Sequence, residues 1–521
     1  MMAATARALG LHLVFWAWAL TAAACGGTGT ARAPLSPREQ CQQPAQLQLG
    51  ALVSRVVGTG SPETCTEDAL RQAVEQGGSI RLDCGADGAA IEVTRELVVT
   101  QDTVLDGEQQ LVLTGNFRSR VFRLLAQGDR VPTLWLRNLT ISESAADASG
   151  GAKDPEAKGG AIRKDGGNLL IENCMIYGNR AAWWAPEAGG GALYLAGPGD
   201  TVITRSAILA NAAAIGGAIA VRDSSLRLDK TSIVSNIVFG VGGVPGDGGT
   251  GGGIDMRGRG DLLLCEATLW DNYGSSFGGG LFRQGTPEDR VAIYSSSFLG
   301  NYVLPGHSVN RFGGGLYVEG AAVDIEASTF YGNGAGGGGA VYVGDGSKLS
   351  LLNNTFSRNV AEAGGGGGVL FDDGARRPPQ GAIINNTFAE NEVTSLTGSG
   401  AAIAGGRLVS LRNSLLVGNR VATRLGGVTC SRPLIDGGRN MQTAAVWEDG
   451  SDDLRRAPCA ESVRPFDGEI GRLDYYGGPT QTQFLTAQSP AVGQGIDCPA
   501  TDQRGQRRPS QGCTLGAYEV Q

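Results

Sequence analysis

The chain predicts an all-β fold built as a parallel β-helix, a solenoid of short strands, and three observations predict it. An asparagine recurs at a nearly fixed period, apolar residues alternate with a two-residue period inside each repeat, and glycine clusters separate the alternating runs. The asparagines are Asn179, Asn211, Asn236, Asn272, Asn301, Asn333, Asn359, Asn391 and Asn419, with gaps of 32, 25, 36, 29, 32, 26, 32 and 28 residues. Such a period marks a repeat architecture. The phrase before each asparagine, as in "LSLLNNTFSRN", runs apolar-x-apolar, a small polar pair, an apolar residue, two loose positions and Asn. Two-residue alternation means strands rather than helices, and polyglycine would break helices of this length. Each unit then forms one coil of two or three short strands, and equivalent positions stack at ~4.8 Å from coil to coil. The stacked asparagines are expected to form an internal amide ladder and to accept the left-handed backbone of a corner. Glycine clusters such as "GGGLYV" from Gly313 serve another corner.

Composition fits a solenoid. Glycine supplies 84 of 521 residues and aromatics only 6%, yet hydrophobic residues reach 41%, too many for a disordered glycine-rich chain. The net charge of −8 gives no nucleic-acid footprint.

In chain order, residues 1–24 read as a secretory signal with an apolar stretch from Leu9 to Leu20, too short to span a bilayer. "LTAAAC" resembles a bacterial lipobox, with cleavage before Cys25 and acylation of its thiol; Ala22 stands where Leu is usual, and an ordinary signal-peptidase site at Ala22–Ala24 is the alternative. Residues 25–60 read as a flexible tether. "TEDALRQAVEQGG" predicts the one helix, over 66–76, with Thr66 as N-cap and Ala69, Leu70, Ala73 and Val74 on its apolar face. The solenoid with this cap occupies 61–425, and 426–521 forms a disulfide-bearing C-terminal module. Ten cysteines in an exported chain should be mostly paired. Proximity pairs Cys65 with Cys84, Cys430 with Cys459, and Cys498 with Cys513. Cys174 and Cys265 read as buried free thiols inside strands, and Cys41 as the odd one out.

"CTEDALRQAVEQGGSIRLDCG" and the segments up to "LWLRNLTI" are similar to the N-terminal cap and first coils of bacterial right-handed β-helix proteins of the pectate-lyase-like superfamily. The GGA-type and F-x-x-N repeats resemble those of chlamydial polymorphic outer-membrane proteins. The tail from Tyr475 to Val520, with Gly477-Gly478-Pro479-Thr480, Asp502-Gln503-Arg504-Gly505 and Gly516-Ala517-Tyr518-Glu519, resembles the C-terminal module of choice-of-anchor Q proteins. The resemblance implies a right-handed, single-stranded helix at the cell surface; it implies little about activity.

Many parallel β-helices cleave polysaccharides, and such a site needs acids converging at one phase of adjacent coils. Glu172, Arg205, Lys230, Glu266, Ser295, Glu326 and Asn353 form a mixed row, which reads as a solvated face. Asp372-Asp373 sits in a turn sequence and His307 in a loop without a partner at metal or nucleophile spacing. No catalytic residue, metal site or cofactor is assigned; calcium enters only if the protein is a lyase. Long loops at 142–160, 180–191, 237–253 and 302–315 leave one corner, the usual binding edge of a solenoid. Trp183, Trp184, Tyr302 and Phe312 are the candidate binding residues there, with packing under loops as the alternative. The expectation is a non-catalytic surface lipoprotein, at the outer membrane or otherwise secreted, that contacts glycans or another surface protein and meets the membrane only through its lipid anchor. The alternative is a polysaccharide lyase or glycoside hydrolase acting on acidic polymers.

Overall fold

The structure, a computed structural model, describes residues 35–43, 52–146, 156–182, 185, 188–240, 249–306, 310–422, 429–444 and 458–521. Its body is a right-handed parallel solenoid of about 12 turns. One coil shows the plan. Leu193–Ala196 lies in an eleven-stranded sheet, Thr201–Thr204 and Ala207–Leu209 form the two limbs of a bent 26-stranded sheet, and Ala212–Ala213 joins a short ten-stranded sheet.

Each coil from Ile162 to Val421 therefore holds four strand segments where two or three were expected. The extra break comes from a pivot residue between the two limbs. Asn138, Asn173, Arg205, Lys230, Glu266, Ser295, Ala327, Asn353, Asn385 and Asn413 all adopt left-handed φ between 47° and 55°. This pivot also corrects the mixed row read from sequence: Glu172 and Glu326 stand one position before it, in register with Thr204 rather than with Arg205. A second left-handed residue precedes every ladder asparagine (Gly178, Ala210, Ser235, Asp271, Gly300, Gly332, Arg358, Glu390, Gly418; φ 52° to 66°). The ladder asparagines themselves do not take that conformation. The turn made one residue earlier is what points their side chains into the protein.

Inside, each asparagine Nδ2 donates to the Oδ1 of the next, through eight links of 2.9–3.0 Å from Asn179 to Asn419. The main-chain N–H of the same residue donates to that Oδ1 as well, as from Asn301 to Asn333 at 3.0 Å. The remaining amide hydrogen reaches a buried carbonyl, as from Asn301 to Leu269 at 2.8 Å. The row is thus buried with its polar atoms partnered, which is what burial of an amide requires. A second ladder follows the pivots and was not singled out from sequence. Its members come from the small polar pair of each phrase: Ser328 N–H donates to Asn354 Oδ1 at 2.8 Å, Asn354 Nδ2 to Asn386 Oδ1 at 3.0 Å, and Ser414 N–H to Asn440 Oδ1 at 2.9 Å.

Apolar columns fill the rest. Ile171, Ile203, Leu228, Leu264, Ile293, Ile325, Leu351, Ile383 and Leu411 stack in register. Phe298, Phe330, Phe356 and Phe388 stack ring on ring at 4.6 to 4.9 Å, a geometry that adds to simple burial. At the entry to the eleven-stranded sheet, a Cβ on Gly217 or Gly252 would meet the carbonyl oxygen of the next coil at 2.2–2.3 Å, so only glycine lets the coils close there. Two cations also point inward. Lys164, stacked between Leu124 and Leu195, donates to the Gly199 carbonyl at 2.9 Å and to Ser224 at 3.1 Å, and its burial pulls its pKa down to about 8. Arg283 serves the Gly258 and Gly260 carbonyls in the same way.

Helix α2 (Glu67–Gln76) starts at its Thr66 cap, buries Leu70, Ala73 and Val74 against the first coil and is tied by Cys65–Cys84. The expected tether needs correcting in its described parts. Helix α1 (Pro37–Gln42) lies on the first limb of the bent sheet, and Ser54–Val57 pairs with Gly78–Leu82. The cause is a disulfide between Cys41 and Cys265, with Cα atoms 5.6 Å apart. Cys265 is therefore not free and Cys41 is not unpaired; Cys174 is the free, buried thiol among the described cysteines. Cys430–Cys459 and Cys498–Cys513 are bonded. Residue Cys25 and the signal segment lie outside the described residues.

The C-terminal segment is not set apart from the solenoid: residues 36–521 form one compact unit, and the tail is laid across the pivot corner of the later coils. Asn353 Nδ2 donates to the Thr501 carbonyl at 2.8 Å, Asn385 Nδ2 to the Thr514 carbonyl at 3.3 Å, and Ala517 N–H to Thr387 Oγ1 at 2.9 Å. A buried Arg508–Glu519 pair at 2.7 Å and an Asp502–Arg504 pair at 2.7 Å hold the tail's own shape. The tail motif thus encodes a clamp: Gln503 Nε2 donates to Thr329 and Thr480, both at 2.9 Å.

Candidate functional site

Where the tail ends, the pivot corner continues toward the N-terminus as an open groove of about 570 Å³. Its floor carries the pivots Asn138, Asn173, Arg205 and Lys230 and the strand residues Thr140, Met175, Ala207 and Ser232, with Gln109 at its N-terminal end. Beyond the floor, on the same outer face of the second limb, runs a column of Tyr177, Leu209, Val234, Trp270 and Leu299. Trp270 is 53% exposed and Met175 42%. Two-residue alternation explains the whole surface. Ile176, Ile208, Ile233 and Leu269 point into the core, so their neighbours must point out.

The groove is polar but close to charge-balanced. Arg205 and Arg137 both pair with Glu172, the latter at 3.7 Å, and Arg137 also reaches Asp106 at 3.7 Å. Lys230 pairs with Glu266 at 3.7 Å. Arg137 also lies over the Trp135 ring at 5.0 Å. Below the floor, burial pushes the Cys174 thiol up to about 11, so it stays protonated and acts as a small apolar filler.

Tyr302 and Phe312, proposed from sequence, lie elsewhere. Phe312 stacks on Tyr342 at 4.8 Å and on Phe277 at 6.1 Å, inside a cluster that includes Phe282 and Tyr317. The Tyr302 hydroxyl donates to Glu362, which also takes Arg311 at 2.8 Å, and its ring covers Gly334. Both are committed to packing within the protein. Trp183, Trp184 and His307 lie outside the described residues. Trp270, the most exposed aromatic of the groove face, was missed. Its signal was present in the alternation of "EATLWDN", where Leu269 is inward and Trp270 outward. Asp372 accepts the Tyr342 hydroxyl at 2.9 Å, and Asp373 accepts the Gly406 and Arg407 N–H groups at 3.1 Å, so this acid pair holds turns together. Among the described residues, no three His, Cys, Asp or Glu side chains converge as a metal site.

Comparison with known families matches residues 290–435 to the one described as right handed beta helix region. No curated protein matches the chain. The matched residues span coils whose parallel register, pivots and asparagine ladder have just been described, and the two agree on the fold: this stretch is similar to the right-handed β-helix family.

Proposed function

We propose that the protein is an exported, non-catalytic β-helix that holds an extended glycan along the open half of the pivot groove. The observation that carries this reading is the groove's own make-up. A row of amide and cationic donors runs beside a parallel row of outward-facing, half-buried apolar and aromatic side chains in which Trp270 is exposed, each repeating at the coil spacing, ~4.8 Å. Flat ring faces and hydroxyl partners suit sugars, and a rigid solenoid keeps both rows aligned without ordering cost. The groove carboxylates Asp106, Glu172 and Glu266 are each held by a cation, which favours binding over proton transfer. Attachment to the cell surface would come through acylation of Cys25.

One observation favours the alternative, a glycoside hydrolase or lyase. Asp324 and Glu326 point outward from one strand beside helix α1, and burial pushes both carboxyls up, the condition of a general acid. Glu326 also lies beside Arg38 at the start of helix α1, and that neighbour opposes the rise. The purified protein should bind members of a panel of neutral and acidic polysaccharides and release no reducing or unsaturated ends, with or without calcium. Robust cleavage that is lost in Glu326→Gln would establish the enzyme instead.

A further inference from the structure

The outward column of the second limb runs on past Trp270 and Leu299 to Tyr331 and Ser357, in register coil by coil. There the tail crosses it. A hairpin of Leu473–Asp474 and Thr482–Gln483 lies over the limb, held by Thr482 Oγ1 against Thr355 Oγ1 at 3.2 Å and by Thr480 Oγ1 on the Ala327 carbonyl at 2.9 Å. Hairpin and limb do not close on each other. A cavity of about 480 Å³ remains between them, with Tyr331, Ser357, Arg358, Glu390, Arg472 and Gln483 in its wall.

Two buried polar atoms of this wall have no partner. Ser357 is 1% exposed and Gln483 4%, yet Ser357 Oγ and Gln483 Oε1 make no hydrogen bond. Buried side-chain oxygens are ordinarily bonded, and a bare one is destabilising. The neighbouring part of the tail interface obeys that rule: Gln503 Nε2 donates to Thr329 and Thr480, and its Oε1 accepts from Thr355 at 2.6 Å. The exception therefore belongs to the cavity. Its charges are unequal as well. Arg358 is taken by Glu390 at 2.5 Å, whereas Arg472 makes no ion pair among the described residues.

We propose that this cavity is a binding site for a small hydroxylated carboxylate, a sugar acid in class. Arg472 takes the carboxylate, one hydroxyl donates to Gln483 Oε1, and another bonds Ser357 Oγ. A neutral sugar leaves Arg472 without a counter-charge, and a simple anion such as acetate leaves the two oxygens bare. A charge-assisted bond is the stronger of these contacts, so the carboxylate sets the preference. The site is built by the tail hairpin and does not depend on glycan binding in the open groove.

The test is calorimetric titration of the full chain with glucuronate, glucose and acetate. Glucuronate should bind at least about tenfold more tightly than either of the others. Arg472→Gln should erase its margin over glucose. Ser357→Ala should weaken glucuronate without lowering the melting temperature of the ligand-free protein, because the hydroxyl it removes has no protein partner. An oligosaccharide ending in glucuronate, titrated alongside, tells a free acid from a chain end, and binding of either form through Arg472 supports the site. Equal binding of glucuronate and glucose, or a margin that survives Arg472→Gln, overturns the assignment. So does a Ser357→Ala protein that melts lower and binds as before, since the hydroxyl then serves only internal water. Trp270→Ala, in the open groove, should leave glucuronate affinity unchanged; its loss there would move the acid to the groove and overturn the inference.

Discussion

Asn301 shows how much one side chain can carry in a solenoid. Its Oδ1 accepts two hydrogens from Asn272 (main chain 3.2 Å, side chain 2.9 Å), and its amide bonds Leu269 O and Asn333 Oδ1. Removing it leaves buried groups on both neighbouring coils without partners, each worth about 1–3 kcal/mol. Asn301→Ala and Asn333→Ala should each lower the denaturant midpoint clearly. Arg358→Ala, at the exposed left-handed position just before Asn359 and paired with Glu390, should change stability by no more than about 0.5 kcal/mol. Equal midpoints for all three would remove the ladder from the account of stability. A short motif made the row visible in the sequence; the residue that turns the backbone was not visible, because Gly, Ala, Ser, Asp, Arg and Glu all occupy it. A left-handed residue is imposed there by the coil and not by its own preference.

Helix α1 is six residues long, below the length that sustains a helix alone. It keeps its place through Cys41–Cys265, the Arg38–Thr501 hydrogen bond at 3.2 Å and the Arg227 contact to the Cys41 carbonyl at 3.4 Å. The disulfide joins residues 224 apart in sequence, so it restricts the unfolded chain strongly, by about 2–4 kcal/mol on usual experience. In a Cys41→Ser, Cys265→Ser double variant, limited proteolysis should remove the residues ahead of Ser54 while the solenoid from Gly78 onward survives. Unchanged cutting would show that packing, not the bond, holds the strap. The other three bonds were legible because their cysteines lie 15 to 29 residues apart. Nothing in local sequence brings Cys41 to the middle of the solenoid.

The unit of residues 36–521 is a stack in which each coil touches its neighbours and in which the tail covers the later half of one flank. Such a body tolerates changes outside the repeats. If Cys25 is acylated, more than one acyl chain gives stable attachment, and Cys25→Ala should move the protein from membrane to soluble fractions with its thermal transition intact. Fractionation identical to the parent would remove the lipoprotein assignment and leave a secreted solenoid.

Fold class, coil period, the capping helix and the first asparagine row were legible in the residues. A period of about 30 with two-residue alternation admits one architecture, and a buried column demands the same residue type at every level. The groove was not legible. Its floor mixes Asn, Arg and Lys because side chains at a solvent-facing pivot are not constrained by stacking, so no repeated letter announces them. Its limits are set by the tail, which is 80 to 150 residues away in sequence and fills the equivalent surface at Asn353, Asn385 and Asn413 while leaving Asn173 open. Inward positions answer to their neighbours in the coil, which the chain repeats; a surface site answers to whichever distant segment covers it or leaves it bare.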